Sequence, residues 1–391
     1  METMQPKVRF PKFKGNWEKK KLIDISDLIT KGTTPKNFSE KGINFLKIEC
    51  LDGHIINTNK CVYVDEITHN KELKRSILKE NDILFAIAGA TIGKCTIVTK
   101  SALPANTNQA FSIIRLKENE NINYIFQILK SDRMSKYIND NISVGAQPNL
   151  NLEQMGSFSF YCPTVNEQIE IANFLTSIDE KINLLKEKKS LLEDYKKGIM
   201  QQIFSQKVRF KDENSNDFDD WEEIELGEIL DYIQPTKYIV KLTNYDNSFE
   251  TPVLTAGKTF ILGYTDETDN VFSNKLPVII FDDFTTANKY VDFPFKVKSS
   301  AMKILVKKKN NNVDIKYIYE FMQTLNFSSG DEHKRYWISE YSKCIIQLPQ
   351  LEEQIKISNF LSAIDEKIDL VNVQILETQE YKKGLLQQMF I

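Results

Sequence analysis

Two stretches of the chain carry its clearest hydrophobic pattern. In one, apolar residues step by three and four through Ile171, Phe174, Ile178, Ile182 and Leu185, then Leu192, Tyr195, Ile199 and Ile203. In the other they run through Ile357, Phe360, Ile364, Ile368, Val371 and Ile375, then Tyr381, Leu385 and Met389. This is the stripe of an amphipathic helix. Pro163 and Pro349 stand just outside the two starts, where a helix tolerates proline. Each stripe predicts a helix of ~37 residues, ~55 Å long at 1.5 Å per residue. An apolar stripe of that length needs a partner of equal length, so the two helices are expected to pair. Gly198 and Gly384 mark a weak point near each C-terminal end.

The two stretches are also copies of each other. Residues 163–205 and 349–391 align without a gap, sharing Glu167-Gln168-Ile169 with Glu353-Gln354-Ile355, and Asn173-Phe174-Leu175 with Asn359-Phe360-Leu361. They also share Ile178-Asp179-Glu180-Lys181-Ile182 with Ile364-Asp365-Glu366-Lys367-Ile368, and Tyr195-Lys196-Lys197-Gly198 with Tyr381-Lys382-Lys383-Gly384. A shorter duplication precedes each large segment: Lys7-Val8-Arg9-Phe10 leads to Trp17, and Lys207-Val208-Arg209-Phe210 leads to Trp221. The order is therefore lead-in, large segment and long helix, twice over. This sets domain boundaries at 1–162 and 206–348 for the large segments, and 163–205 and 349–391 for the helices.

Inside the large segments the period changes. Short β-rich runs, Ile83–Ile87, Phe111–Ile114, Val278–Phe281 and Met302–Val306, alternate with Gly/Asn/Asp turns, and helical stretches follow at Ile122–Asn139 and Asp314–Leu325. Both segments thus read as mixed α/β, strands first and a helix late.

Composition then narrows the class. With 391 residues, 41% hydrophobic and 27% charged, the chain is too long for one core and too apolar for disorder. No stretch approaches the ~20 apolar residues of a membrane span. The first residues lack an export signal, and Cys50, Cys61, Cys95, Cys162 and Cys344 form no Cys-x-x-Cys pair, so a reducing cytoplasm is expected. The net charge of −3 hides an uneven spread. Residues 1–162 hold 23 Lys+Arg against 17 Asp+Glu, and ten acids lie between Asp212 and Asp231. A phosphate-binding face is therefore open to both large segments.

Catalytic patterns fail one after another. Gly89-Ala90-Thr91-Ile92-Gly93-Lys94-Cys95 resembles a phosphate loop, but Ala88 stands where the first glycine belongs and Cys95 where the Ser/Thr ligand belongs, which leaves a strand-connecting turn. Cys50, His54, Cys61 and His69 lack the close pairing of a zinc site and read as buried thiols with surface histidines. His333 is the only other histidine, too little for a Ser-His-Asp site. No nuclease, amino-methylation or dinucleotide motif is present. Asp179-Glu180-Lys181 and its copy read as charges that specify helix pairing rather than an acid/base pair. The chain is expected not to be an enzyme and to hold no metal or cofactor of its own.

Taken in order, these features resemble the specificity subunits of type I restriction–modification systems over essentially the full length. The resemblance is carried by Lys7-Val8-Arg9-Phe10-Pro11-Lys12-Phe13 with Trp17-Glu18, Gly32-Thr33-Thr34-Pro35, the 89–94 turn, Asn108-Gln109-Ala110-Phe111, Gln147-Pro148-Asn149-Leu150 and the Pro163…Glu167-Gln168 helix entry. In the second half Lys258, Gly263-Tyr264-Thr265, Phe281–Thr286, Lys289–Phe293 and Val297–Ala301 look like a second branch of the same domain type. The resemblance implies two α/β (α+β) target-recognition domains separated by two long antiparallel coiled-coil helices with pseudo-two-fold symmetry. Each domain would read one half of a bipartite, asymmetric double-stranded DNA site, with the helices setting the spacing. Two methyltransferase subunits would dock on the helices and two restriction subunits would join the complex; S-adenosylmethionine, ATP and Mg would belong to those partners. A coiled-coil scaffold or adaptor without DNA recognition is the alternative, and it leaves the two large domains unexplained.

Base edges are typically read by Arg/Lys at guanine and Asn/Gln at adenine, while other Lys and Ser/Thr hold phosphates. The candidate DNA-contacting residues are therefore Thr33, Thr34, Lys36, Thr91, Lys94, Asn108, Gln109, Gln147 and Asn149 in the first domain, and Lys258, Thr285, Thr286, Lys289, Lys334, Arg335 and Tyr336 in the second. Lys307–Asn312 reads as a solvated loop from strand to helix.

Overall fold

A computed structural model describes residues 5–142, 148–255, 257, 259–309, 312–325 and 336–390. They form two compact units, 1–186 with 373–391, and 187–372. This division cuts across both long helices, so each helix lends one half to each unit and neither is a domain by itself.

In the first unit the run at Ile83 becomes the strand Ile83–Ala86 of a four-stranded antiparallel sheet, ordered Ser26–Lys31, Phe111–Leu116, Ile83–Ala86, Cys95–Ile97. Every residue of that strand is buried. Ile83 and Phe85 face a core that includes Ile171, Leu175 and Ile178 of the first long helix, whereas Leu84 and Ala86 face a second core with Leu46, Cys50 and Ala105. Burial on both faces removes the polar alternation, which is why the run is unbroken in the sequence. The second core is covered by a mixed three-stranded sheet, Val62–Val64, Ile43–Leu46, Ala105–Thr107.

The second unit repeats the order of both of these sheets. Its four-stranded sheet is ordered Leu230–Ile233, Met302–Lys307, Val278–Asp282, Asn288–Val291, and its three-stranded sheet Ile261–Thr265, Thr251–Leu254, Lys296–Val297. Ile279 and Phe281 pack toward Met200, Ile203 and Ile357, and Val278 and Ile280 toward Leu254 and Phe295. In each unit a two-strand clip, Glu18–Lys21 with Ser159–Cys162 or Glu222–Glu225 with Ile345–Leu348, joins the ends of the large segment just before its long helix.

The long helices are Val165–Phe204 and Leu351–Met389, 40 and 39 residues. They run unbroken through Gly198 and Gly384, so the expected weak points are not breaks: the ~1 kcal/mol cost of one glycine is outweighed by buried neighbours such as Met200, Ile203 and Met389. The stretch 122–139 is two helices, Ile122–Leu129 and Asp132–Asn141, because Ser131 is extended and turns its Oγ back to donate to the Ile128 carbonyl at 2.6 Å. Asp314 caps Ile315–Met322 through the amides of Lys316 and Tyr317.

The helix halves are antiparallel within each unit. In the second, Lys189 donates to Asn372 at 2.9 Å and Lys196 to Asp365 at 2.7 Å, seven residues forward against seven back. In the first, Lys382 donates to both oxygens of Asp179 at 2.6 Å. These Asp–Lys pairs are one interaction with the helices' roles exchanged, as the charged triplet predicts. The lead-ins are straps: Arg9 grips Glu167 with two bonds of 2.7 and 2.8 Å, Arg209 grips Glu353 at 3.2 and 2.8 Å, and both carboxylates are buried. Phe10 meets Phe174 edge-on at 5.9 Å, and Phe210 meets Phe360 at 5.6 Å.

Candidate nucleic-acid interface

One edge of the first unit's main sheet gathers four loops through backbone hydrogen bonds. Gly32 N–H donates to Phe111 O at 3.2 Å and Thr33 N–H to Thr107 O at 3.0 Å; Ile87 N–H donates to Ala110 O at 2.8 Å, Gly89 N–H to Pro148 O at 3.0 Å and Leu150 N–H to Ile87 O at 2.9 Å. Thr33, Thr34, Thr91, Lys94, Asn108, Gln109 and Asn149, scattered over more than a hundred residues of sequence, therefore share one loop cluster. Gly32 is required there because a Cβ would run into the carbonyl oxygens of Thr107 and Asn108. Thr34 donates its hydroxyl to Gln109 Oε1, and Asn108 Oδ1 accepts from Ala110 N–H at 3.2 Å. Lys94, Gln109, Asn149 and Lys36 are exposed, and Lys36 is fixed by its amide to Glu72 at 3.0 Å.

The 89–94 segment is the turn between two antiparallel strands, and four of its amides are spent on the protein. Gly89, Ile92, Gly93 and Lys94 donate to the carbonyls of Pro148, Gly89, Ala86 and Thr91. Lys94 is exposed at the end of this turn. A neighbour that sequence reasoning missed is Arg75, exposed and donating to Thr33 Oγ1 at 3.3 Å. Its signal was the basic run Lys71…Lys74-Arg75. The segment carrying it is anchored by Asp65, whose carboxylate accepts from Thr68 N–H at 2.7 Å; that bond holds Asp65 below the usual carboxylate range.

The equivalent place in the second unit is the turn after Val278–Asp282. Asp282 accepts from the amides of Phe284 and Thr285 at 2.9 Å each, and Thr286 takes a left-handed φ of 61° to close it. Thr285 is exposed, whereas Thr286 and Lys289 are half-buried. Beneath the turn Asp283 accepts from Trp337 N–H at 2.8 Å and pairs with buried Lys303 at 3.3 Å. Tyr336 corrects an expectation: it is 2% exposed, part of the core, and its amide donates to Asp283 O at 3.1 Å, so it supports the turn from behind. Gln147, Lys258, Lys334 and Arg335 lie outside the described residues. By topology, Lys298–Ser300 of the second unit matches Asn108–Ala110, since each precedes the sheet's inner strand. The Val297–Ala301 motif was the available signal.

His69, expected at the surface, is buried with Nδ1 2.5 Å from Asn106 Oδ1, and His54 Nδ1 lies 2.9 Å from Cys95 O. Burial pushes the Cys95 thiol up to about 12. No group of three metal-ligating side chains occurs among the described residues. No helix among them is long and apolar enough to cross a membrane.

Comparison with known proteins agrees with this architecture. The sequence model of the type I restriction modification DNA specificity domain matches residues 14–194 and 218–380. The chain is 48% identical over 164 residues to the Escherichia coli type I restriction enzyme EcoR124I/EcoR124II specificity subunit, a match covering 40% of each chain. It is 25% identical over 406 residues to the putative type I restriction enzyme MjaX specificity subunit of Methanocaldococcus jannaschii, covering 95% of this chain and 92% of that one. Its fold is that of the S subunit of the M. genitalium type I system, with a TM-score of 0.63 over 99% of both chains at 16% identity. With two matched specificity domains, two repeated sheet units and two long helices, the chain belongs to the family of type I restriction–modification DNA specificity subunits.

Proposed function

We propose that this chain is the address-reading subunit of a type I restriction–modification complex, and that each unit reads one half of a bipartite double-stranded DNA site through the loop edge described above. The observation that carries this is a contrast. Topology, lead-in straps and helix pairs repeat, while the loops at the sheet edge differ in sequence and length. Different bases must be read, but equivalent partners must be held. In the first unit Thr34, Lys36, Lys94, Gln109 and Asn149 are the exposed donors and acceptors for this task, with Arg75 beside them; in the second they are exposed Thr285, Ser299 and Ser300 with half-buried Lys289 and Lys298. Lys258, Lys334, Arg335 and Gln147 remain candidates on their residue types.

The chain supplies no chemistry in this reading. Two methyltransferase subunits bring S-adenosylmethionine, two restriction subunits bring ATP and Mg, and the helices hold the methyltransferases. The test is to map methylated adenines after reconstituting the purified chain with its cognate methyltransferase subunits. Methylation at one bipartite sequence only when both components are present is expected. Methyl transfer by the chain alone, or sequence choice that persists without it, overturns the reading.

A further inference from the structure

Away from the loop edge, the first unit holds more cation than it pairs. Asp179 accepts from Lys382 Nζ at 2.6 Å on each oxygen, from Lys130 Nζ at 3.2 Å and from Gln127 Nε2 at 2.9 Å. One carboxylate thus serves two ammoniums, and the lysine side chains are only 9% (Lys130) and 7% (Lys382) exposed. Like charges repel strongly in so dry a place; burial, with Lys130 adding to it, lowers Lys382 to about 8. All four groups line an open cavity of about 870 Å³ with Ile97, Phe126 and Leu386 in its wall. Gln127 is 2% exposed, and its Oε1 has no hydrogen-bond partner among the described residues. A buried acceptor left so costs stability unless something donates to it.

The duplicate of this place shows that the scaffold does not require the imbalance. Counted from the caps Asn121 and Asp314 of the helices Ile122–Leu129 and Ile315–Met322, Gln127 corresponds to Glu320 and Lys130 to Gln323. There Lys196 stands between two carboxylates, 2.9 Å from Glu320 and 2.7 Å from Asp365. The first unit keeps the Asp–Lys pair but has an amide for the acid and a second lysine for the amide. Nor do the cavity's other acids make up the difference. Asp52 pairs with Lys60, Asp132 accepts from Gln387 Nε2 at 2.5 Å, and exposed Glu180 is outnumbered by exposed Lys186 and Lys383. The missing charge has to come from a ligand.

We propose that this cavity binds a protonated phosphate, its unprotonated oxygens accepting from Lys130 and Lys382 and its P–OH donating to Gln127 Oε1. The ligand chemistry is that of hydrogen phosphate or of a phosphate monoester that keeps one proton. Charge-assisted bonds to two ammoniums supply the affinity. The acceptor of Gln127 supplies the choice, because sulfate can pair with the lysines but has no proton to donate. The ligand would tie together three elements of the first unit: the C-terminal end of Ile122–Leu129 through Lys130, and the two long helices through Asp179 and Lys382. The inference stands apart from the specificity reading, since the second unit reads its half-site with no such cavity charge.

The test is calorimetric titration of the full chain with sodium phosphate, adenosine monophosphate and sodium sulfate at one ionic strength. One phosphate per chain is expected, with sulfate at least about tenfold weaker, a difference of ~1.4 kcal/mol or more. Phosphate should also raise the melting temperature by mass action. Gln127→Glu with Lys130→Gln gives the first unit the combination that the second already carries, so the fold should be kept while phosphate binds at least about tenfold more weakly. Lys130→Gln alone, which leaves the Asp179–Lys382 pair untouched, should weaken phosphate likewise. Competition between adenosine monophosphate and phosphate for one site would assign the ligand to monoesters, and binding of phosphate alone to the free ion; either supports the site. No saturable phosphate binding by the unaltered chain, unchanged affinity in both variants, or sulfate bound as tightly as phosphate overturns the proposal.

Discussion

Arg209 shows how much one side chain can hold. Its guanidinium reaches Glu353, which is 0% exposed and otherwise bonded to Trp221 Nε1 at 2.8 Å. Arg209→Ala strands a buried carboxylate, so denaturant unfolding of the second unit should lose about 3 kcal/mol. Lys382 is the opposite case. Burial, with the nearby Lys130 ammonium adding to it, lowers it from 10.5 to about 8, although Asp179 bonds it. From pH about 8 to 10.5 the unfolded chain holds this proton more tightly than the folded one, so stability rises with pH across that window. Lys382→Met should remove that part of the slope, read as the difference between the two proteins' stability curves. The duplicate site in the second unit exchanges this excess of cations for acids: Lys196 lies 2.9 Å from the buried carboxylate of Glu320 and 2.7 Å from Asp365, and burial raises Glu320. A pair that repeats in sequence thus meets a different neighbour in each unit.

At the scale of elements, hydrogen bonds close the turns and the long helices are continuous. Gly32→Ala forces the 32–34 loop away from the carbonyls of residues 107 and 108. DNA binding by the complex should fall while the second half-site is still read, which methylation mapping on half-site variants would show. Both long helices run from one unit into the other, and the proposed function makes their length a measure of the gap between half-sites. Four helix-forming residues inserted between Lys186 and Ser190 lengthen the first helix by ~6 Å and advance its face by ~40°. The two half-sites should be kept, with a spacer longer by about one to three base pairs at ~3.4 Å each. Full methylation at the original spacer by a folded variant refutes the helix as a ruler.

For the whole molecule, the repeated straps and clips make each large segment a replaceable part. Replacing about residues 10–160 by the equivalent stretch of a related subunit should change one half-site and leave the other as it was; sequencing of methylated sites in which both halves move together contradicts independent reading. Charge tells less at this scale. A net charge of −3 belongs to a chain whose first 162 residues are basic, so binding of the first half-site should weaken with salt in proportion to the phosphates its lysines meet.

The sequence by itself determined the parts whose signal is local or repeated. The three-and-four spacing at Ile171–Ile203 and its copy marked both long helices, the runs at Ile83, Phe111, Val278 and Met302 marked the inner strands, and Asp179 with its copy marked the pairing. Periodicity and duplication survive without knowledge of the fold because each depends only on neighbours along one element. Tertiary structure decided the rest. Glu167 and Glu353 are marked in the sequence only as duplicated residues of the helix entry, and the arginines that close on them lie 158 and 144 residues away. Arg75 joined the loop edge, and Tyr336 left it for the core, through contacts that no window along the chain contains. Even the unit boundary was decided in space, since a helix stripe shows that a partner is needed but not where along its length each core takes hold.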